Sequence, residues 1–236
     1  MLGRHCRPEY DTAVAVAKEL ASSVGEIIAL SLDVSDTAAC NRVVDEIAAK
    51  LGGLDYLVNS AGSFIAKGAN ASDADWQRIF GTNVRGNAAM VSAAARWMKL
   101  RGGGAIVNIG SVSGRVAQAE RWTYNATKGA IAAITRCQAL DLAPAGIRVN
   151  CVEPGWIWTR EVEGAAGGDR GRWEPVWGRY SMQRRLGEAS EVAKPVAFLL
   201  SDAASFITGA EIPVDGGYLA MGPEGLGNDS VFAGSN

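Results

Sequence analysis

Short apolar, β-branched runs alternate along this chain with longer stretches whose apolar residues recur at helical spacing, and that rhythm leaves few folds open. The runs are "EIIALSLDV" at 26–34, "LDYLVNSAG" at 54–62, "AIVNIGS" at 105–111, "IRVNCVEPG" at 147–155 and "AEIPVDGG" at 210–217. They are apolar almost throughout, which predicts strands buried on both faces of a parallel sheet. The stretches between them predict helices. Over 36–51, Ala39, Val43, Ile47 and Leu51 share one face. Over 73–100, Ser72 is placed as an N-cap with Asp75 three residues on. Over 122–142, small residues recur at Ala126, Ala130, Ala133 and Cys137, followed by Leu140, and Gly146 suits the turn that leads out. The order predicts an α/β fold: a doubly wound parallel sheet with helices on both faces, in a single domain covering 1–236. Only 160–188 breaks the rhythm. It is polar, Gly-rich and Trp-bearing, and reads as an irregular lid inserted after a strand end. Residues 221–236 read as a C-terminal tail.

Composition narrows the function classes. With 23 basic and 25 acidic residues the net charge is -2, which leaves no basic footprint for nucleic acid. No apolar run approaches the roughly 20 residues needed to span a membrane. "MLGRHCRPEY" lacks the apolar core of a signal peptide. Cys6, Cys40, Cys137 and Cys151 have no paired spacing, and His5 is the single histidine, so a zinc site is not expected. These features predict a reduced, soluble, cytoplasmic protein.

The unusual polar residues gather where the strands end, and in open α/β sheets ligands sit at those ends. Asp33 and Val34 close the first run, Asn59, Ser60, Ala61 and Gly62 the second, Ser111 the third, and Pro154 and Gly155 the fourth. Such residues also serve turns. Tyr124 stands four residues before Lys128, one helical turn, so both side chains share a face.

Taken in order, "LDV" (32–34), "NSAG" (59–62), "TNVRG" (82–86), "IVNIGSVSG" (106–114), Tyr124 and Lys128, "IRVNCVEPGWIWT" (147–159) and "ASFITGAEIPVDGG" (204–217) resemble the short-chain dehydrogenase/reductase family. The resemblance covers roughly residues 10 to 220. It implies a Rossmann-like fold and an NAD(P)-dependent oxidoreductase that interconverts a secondary alcohol and a ketone. The family's active-site tetrad falls on Asn83, Ser111, Tyr124 and Lys128, and Ser111 rather than Ser113 has the family's separation from the tyrosine.

Hydride transfer at a carbinol carbon requires a proton to move on its oxygen. A free tyrosine titrates near about 10, too high for a base at neutral pH. An ammonium at about 4 Å, at an effective dielectric of about 20, would favour the phenolate by roughly 4 kcal/mol and bring Tyr124 towards neutrality. The resemblance further implies that Lys128 holds the nicotinamide ribose, that Ser111 bonds the substrate oxygen, and that Asn83 positions a water. It also implies that Asp33 bonds the adenine amine beside Val34, and that Asn59, Ala61 and Gly62 line the adenosine ribose. Pro154, Gly155, Ile157 and Thr159 then flank the nicotinamide.

The family's Gly-rich turn against the pyrophosphate has no counterpart in 1–236, and "MLGR" reads as the tail of a second strand. The expectation is therefore a member whose first βα unit is missing, with weak coenzyme binding. The alternative reading is a non-catalytic subunit acting through oligomer assembly. Arg4, His5 and Arg7 lean the coenzyme towards NADP over NAD. Trp156, Trp158, Trp173 and Trp177, interspersed with Arg160, Arg170 and Arg172, suit a sugar or polyol, although the same rings could merely pack the lid. The helices at 73–100 and 122–142 and the run "VDGGYLAMG" resemble the family's assembly surfaces and imply a homotetramer or homodimer.

Overall fold

The structure, a computed structural model, describes residues 7–24, 26–223 and 225–226. Helix α1 (Arg7–Val24) comes first, followed by α2 (Thr37–Leu51), capped at its start by Asp36, whose side chain accepts from the Ala39 amide at 3.0 Å. Strand β1 (Tyr56–Asn59) leads to α3 (Asp73–Phe80), a π-helical turn (Gly81–Gly86) and α4 (Asn87–Arg101). Then come β2 (Gly104–Ile109), α5 (Trp122–Leu142), β3 (Ile147–Pro154) and β4 (Ile157–Trp158). The chain continues through α6 (Arg160–Ala165), α7 (Arg170–Trp177), β5 (Gly187–Glu188), α8 (Ala189–Leu200) and β6 (Glu211–Val214).

Four strands form one parallel sheet in the order β1-β2-β3-β6. Alternate residues of a strand feed opposite faces, and two cores result. Ile106 and Val149 pack with Val91, Ala94, Met98 and Ala139 beneath α4 and α5. Val107 and Val152 pack with Leu199 and Ala204 beneath α8. Helices on both faces make the sheet doubly wound.

The expected strand at 26–34 does not form: residues 26–33 have no ladder partner among the described residues and do not pair with β1. A strand exists only by exchanging hydrogen bonds with a neighbour, and an apolar run cannot supply one. The expected stripe on α2 is shifted by one residue. Cys40, Val44 and Ala48 are buried, whereas Leu51 is half exposed. The single helix expected over 73–100 is two helices joined by the π-helical turn, where Gly81, Thr82, Asn83 and Gly86 are all weak helix formers. The 160–188 segment is ordered, not irregular. Thr159 caps α6, Asp169 caps α7, and β4 pairs with β5 to close the segment at its base. "MLGR", including Arg4, lies outside the described residues, as do His5, Cys6, the side chain of Arg7 and most of 221–236.

Candidate active site

Strands β1, β2, β3 and β6 run parallel, so their carboxyl ends lie on one edge of the sheet, staggered by the register: Asn59 is level with Asn108, Ile109 with Val152 and Pro154 with Val214. Ser111 follows β2 and caps a short 3-10 turn, its hydroxyl accepting from the Ser113 amide at 3.1 Å. Ser113 is committed elsewhere, donating to Gln118 Oε1 at 2.7 Å. Gly114 then presses against α5: a Cβ there would stand 2.8 Å from the Lys128 carbonyl carbon. Only a glycine permits that approach, and it carries Ser111 to the helix that bears Tyr124 and Lys128.

Lys128 is 8 % exposed. Its ammonium donates to the Ile109 carbonyl oxygen at 2.8 Å and lies 5.6 Å from the centre of the Tyr124 ring. Burial pulls its pKa down to about 8. Burial also raises the Tyr124 phenol above its ordinary value, opposed by a hydrogen bond from Ser111 and by the charge of Arg121, while Glu161 adds to the rise. This corrects the expected electrostatics. Lys128 does not drive the phenol towards neutrality here, because its ammonium faces a backbone carbonyl and both groups are desolvated together. The cation felt at the phenol is Arg121.

Asn83 lies in the π-helical turn, 3 % exposed. Its Oδ1 accepts from the Ser63 amide at 2.6 Å, and its Nδ2 donates to the Ser63 carbonyl and to Thr127 Oγ1, each at 3.0 Å. Thr127 in turn donates to the Tyr124 carbonyl at 2.8 Å. Asn83, Ser111, Tyr124 and Lys128 are thus gathered around one helical turn of α5.

The other predicted site residues are spread along the sheet edge. Asn59 Nδ2 donates to Asn108 Oδ1 at 3.0 Å. It belongs to a polar cluster in which Asn87, Thr135 and Gln138 bind β1, β2, α4 and α5 together. Ala61 and Gly62 are exposed, and a Cβ on Gly62 would stand 3.8 Å from Asn83 Oδ1. Asp33 is exposed, and its Oδ1 accepts from both the amide and the hydroxyl of Ser35, at 2.9 and 2.7 Å. The Val34 carbonyl sits against Gly86, beside the Asn83 turn. Gly155, after Pro154, has no room for a side chain: a Cβ would meet Asp215 Cα at 2.8 Å. Ile157 is buried, and the Thr159 hydroxyl accepts from the Val162 amide.

Two site residues escaped the sequence reading. Phe64 packs edge-on to Tyr124, ring centres 4.9 Å apart. Arg121 stands between Phe64 and Trp156, its guanidinium carbon 5.3 and 5.4 Å from the two ring centres. The column continues from Trp156 to Trp177 at 5.5 Å and to Trp173 at 4.8 Å beyond, with Tyr180 also on Trp156. Trp158 stands apart, taking Arg170 on its face. The one available signal was position: Arg121 is three residues before Tyr124, and Phe64 is two beyond "NSAG". Further along the same edge, Arg115 joins buried Glu153 of β3 at 2.7 Å and Glu211 of β6 at 2.8 Å, tying the Ser111 turn to two strands, and Arg136 also pairs with Glu211.

A family model described as enoyl-(acyl carrier protein) reductase matches residues 9–219. The chain is 37% identical over 211 residues to cis-4-hydroxycyclohexanecarboxylate dehydrogenase of Sinomonas cyclohexanicum, covering 87% of this chain and 82% of that protein. It is 38% identical over 217 residues to meso-2,3-butanediol dehydrogenase of Serratia marcescens, covering 89% and 83%. The solved structure of ElxO with NADP bound superposes with a TM-score of 0.80 at 32% identity, covering 90% of this chain and 86% of that one. Motif order, sheet topology and these likenesses agree, and the chain belongs to the short-chain dehydrogenase/reductase family.

Proposed function

We propose that this protein is a nicotinamide-dependent oxidoreductase that interconverts a small secondary alcohol and its ketone, with Tyr124 as the general acid/base. The observation that carries the reading is the packing of the Ser111 turn, through Gly114, onto the helical turn that holds Tyr124 and Lys128. The names of the two dehydrogenase relatives support a secondary carbinol, in a ring or beside a second hydroxyl. The donor set fits the coenzyme's nicotinamide end. An ammonium has three donors, and Lys128 gives one to Ile109, so two remain for a vicinal ribose diol. Asp33, Val34, Asn59, Ala61 and Gly62 would line the adenosine end, and Pro154, Gly155, Ile157 and Thr159 the carboxamide side.

In the reductive direction the protonated Tyr124 Oη gives its proton to the ketone oxygen as charge grows there, and Ser111 Oγ donates a hydrogen bond to the same oxygen; in the oxidative direction these transfers run in reverse. When bound, the nicotinamide supplies the acceptor for the hydride that leaves the carbinol carbon. Asn83 holds the turn through Ser63 and Thr127 and would position a water behind Lys128. The 160–188 segment acts as the lid, and its Trp173 and Trp177 reach the site through Trp156.

Tyr124→Phe tests the assignment. Loss of the phenolic proton path should cut turnover by about a hundredfold or more, with an unchanged circular dichroism spectrum. Undiminished turnover would remove Tyr124 from the mechanism. The same assay run with both coenzymes should favour NADP, as the NADP-bound ElxO likeness and the basic start of the chain suggest. A preference for NAD reverses that reading.

A further inference from the structure

We propose that Arg121 is a specificity-determining residue that binds a carboxylate on the substrate, so that the preferred substrates are secondary alcohols carrying an anionic group several bonds from the carbinol carbon. This rests on the oxidoreductase reading of the Tyr124 site and names the substrate class for it.

The charge balance around the lid sets Arg121 apart. Arg170 is neutralised by Glu174 at 2.9 Å and by Glu188 at 2.5 Å, and Arg185 by Glu191 at 2.6 Å. Arg172 and Arg179 pair with no carboxylate among the described residues, but they are exposed and lie over Trp173 and Tyr180. Arg121 is half-buried, and no described carboxylate lies within ion-pairing distance of it. Its hydrogen bond, through Nη1, goes to the neutral amide oxygen of Gln118 at 3.2 Å. Its charge meets only ring faces and a neutral amide, which leaves it free to pair with an anion brought by a ligand.

Its placement suits that ligand. Phe64 and Trp156 grip the guanidinium by their ring faces, which orients the planar fork and leaves its N–H edge for a two-point bond to a carboxylate. Phe64 separates Arg121 from the Tyr124 ring. A carboxylate held there is therefore offset from the reacting carbon by about the width of one ring. Glu161, the acidic group whose charge reaches Tyr124, is exposed on α6 and does not pair with Arg121. A hydroxy acid with a ring between its two functional groups matches this spacing better than a neutral polyol.

The test separates binding from turnover. Cyclohexanecarboxylate and its uncharged amide are titrated into the full chain with NADP present, read by calorimetry and by the fluorescence of the Trp156–Trp177 stack. The acid should bind about tenfold more tightly than the amide or better. Arg121→Gln should erase that preference, and Arg121→Lys should keep part of it. In turnover, the kcat/KM ratio of 4-hydroxycyclohexanecarboxylate to cyclohexanol should fall by about tenfold in Arg121→Gln, through KM. Equal binding of acid and amide by the unaltered protein overturns the proposal, as does full acid affinity in Arg121→Gln. If that variant does not fold, the acid–amide comparison and Arg121→Lys still decide. Discrimination through Arg121 without turnover of either alcohol would retain the anion site and overturn the oxidoreductase reading. Turnover of both alcohols in a ratio that Arg121→Gln leaves unmoved would do the reverse.

Discussion

Lys128 is 8 % exposed, and burial lowers its pKa from 10.5 to about 8. The unfolded chain therefore binds more protons than the folded one between those values. Stability must rise with pH across that window, and the burial penalty is fully present below about pH 8. For the coenzyme-free protein the gain from pH 7 to pH 9.5 comes to about 2 kcal/mol. Lys128→Met removes the titrating group, so urea unfolding at the two pH values should show that difference between the variant and the unaltered protein. Parallel changes in both would mean that Lys128 is solvated. Coenzyme binding should then raise the Lys128 pKa, because ribose oxygens accept from the ammonium. The Tyr124–Lys128 spacing was plain in the sequence. Its electrostatics were not, because they depend on where the Lys128 nitrogen points and how dry the site is.

The loop before α3 shows how local sequence builds an element. Ser72 and Asp75 form a reciprocal cap, with Ser72 Oγ accepting from the Asp75 amide and the Asp75 carboxylate accepting from the Ser72 amide. The Lys67 ammonium, then the Ser72 backbone and hydroxyl, hold the Asp75 carboxyl down at about 2. Its folded pKa lies below the unfolded value, so this contribution is present near neutrality and is lost only as the pH falls towards about 2. Ser72→Ala should cost about 1 kcal/mol and lower the melting temperature by about 2–4 °C. An unchanged melting temperature would show that α3 is held by packing alone. This cap was legible, as were β3 and the whole of α5, because each depends on neighbours in the chain. The break between α3 and α4 was not legible. The π-helical turn exists because Asn83 is drawn to Ser63 and Gly86 lies against Val34, contacts made by segments distant in sequence.

Across the whole molecule, apolar surface is left at places that the family resemblance marks for assembly. On α5, Ala126, Ala133 and Cys137 are exposed and Leu140 is 76% exposed, while Leu100 ends α4 at 80%. Phe206, between α8 and β6 and outside those places, is fully exposed as well. Patches of this kind mark interfaces more often than bare solvent-facing surface, and we expect a homodimer or homotetramer. Sedimentation should give a mass that is a multiple of the chain's, and a monomer at every concentration would refute it. The edge strand β1 also exposes Tyr56 and Val58. Among the described residues, no helix is long and apolar enough to cross a membrane.

Periodicity and the residues closing each apolar run were enough, from the sequence alone, to set out a doubly wound parallel sheet with Ser111 at its carboxyl edge, and the four-residue spacing put Tyr124 and Lys128 on one helical face. Both rest on residues close together in the chain, where spacing translates directly into direction. The failed strand at 26–34 marks the limit of that logic, since apolar content says a run wants burial and only a partner strand makes it a strand. The tertiary structure alone decided which cation meets the phenol. Phe64, Arg121 and Trp156 leave three different strand ends and become neighbours only once β1, β2 and β3 are in register. Their stacking leaves Arg121 without a counter-ion among the described residues, a property of packing that no spacing along the chain encodes.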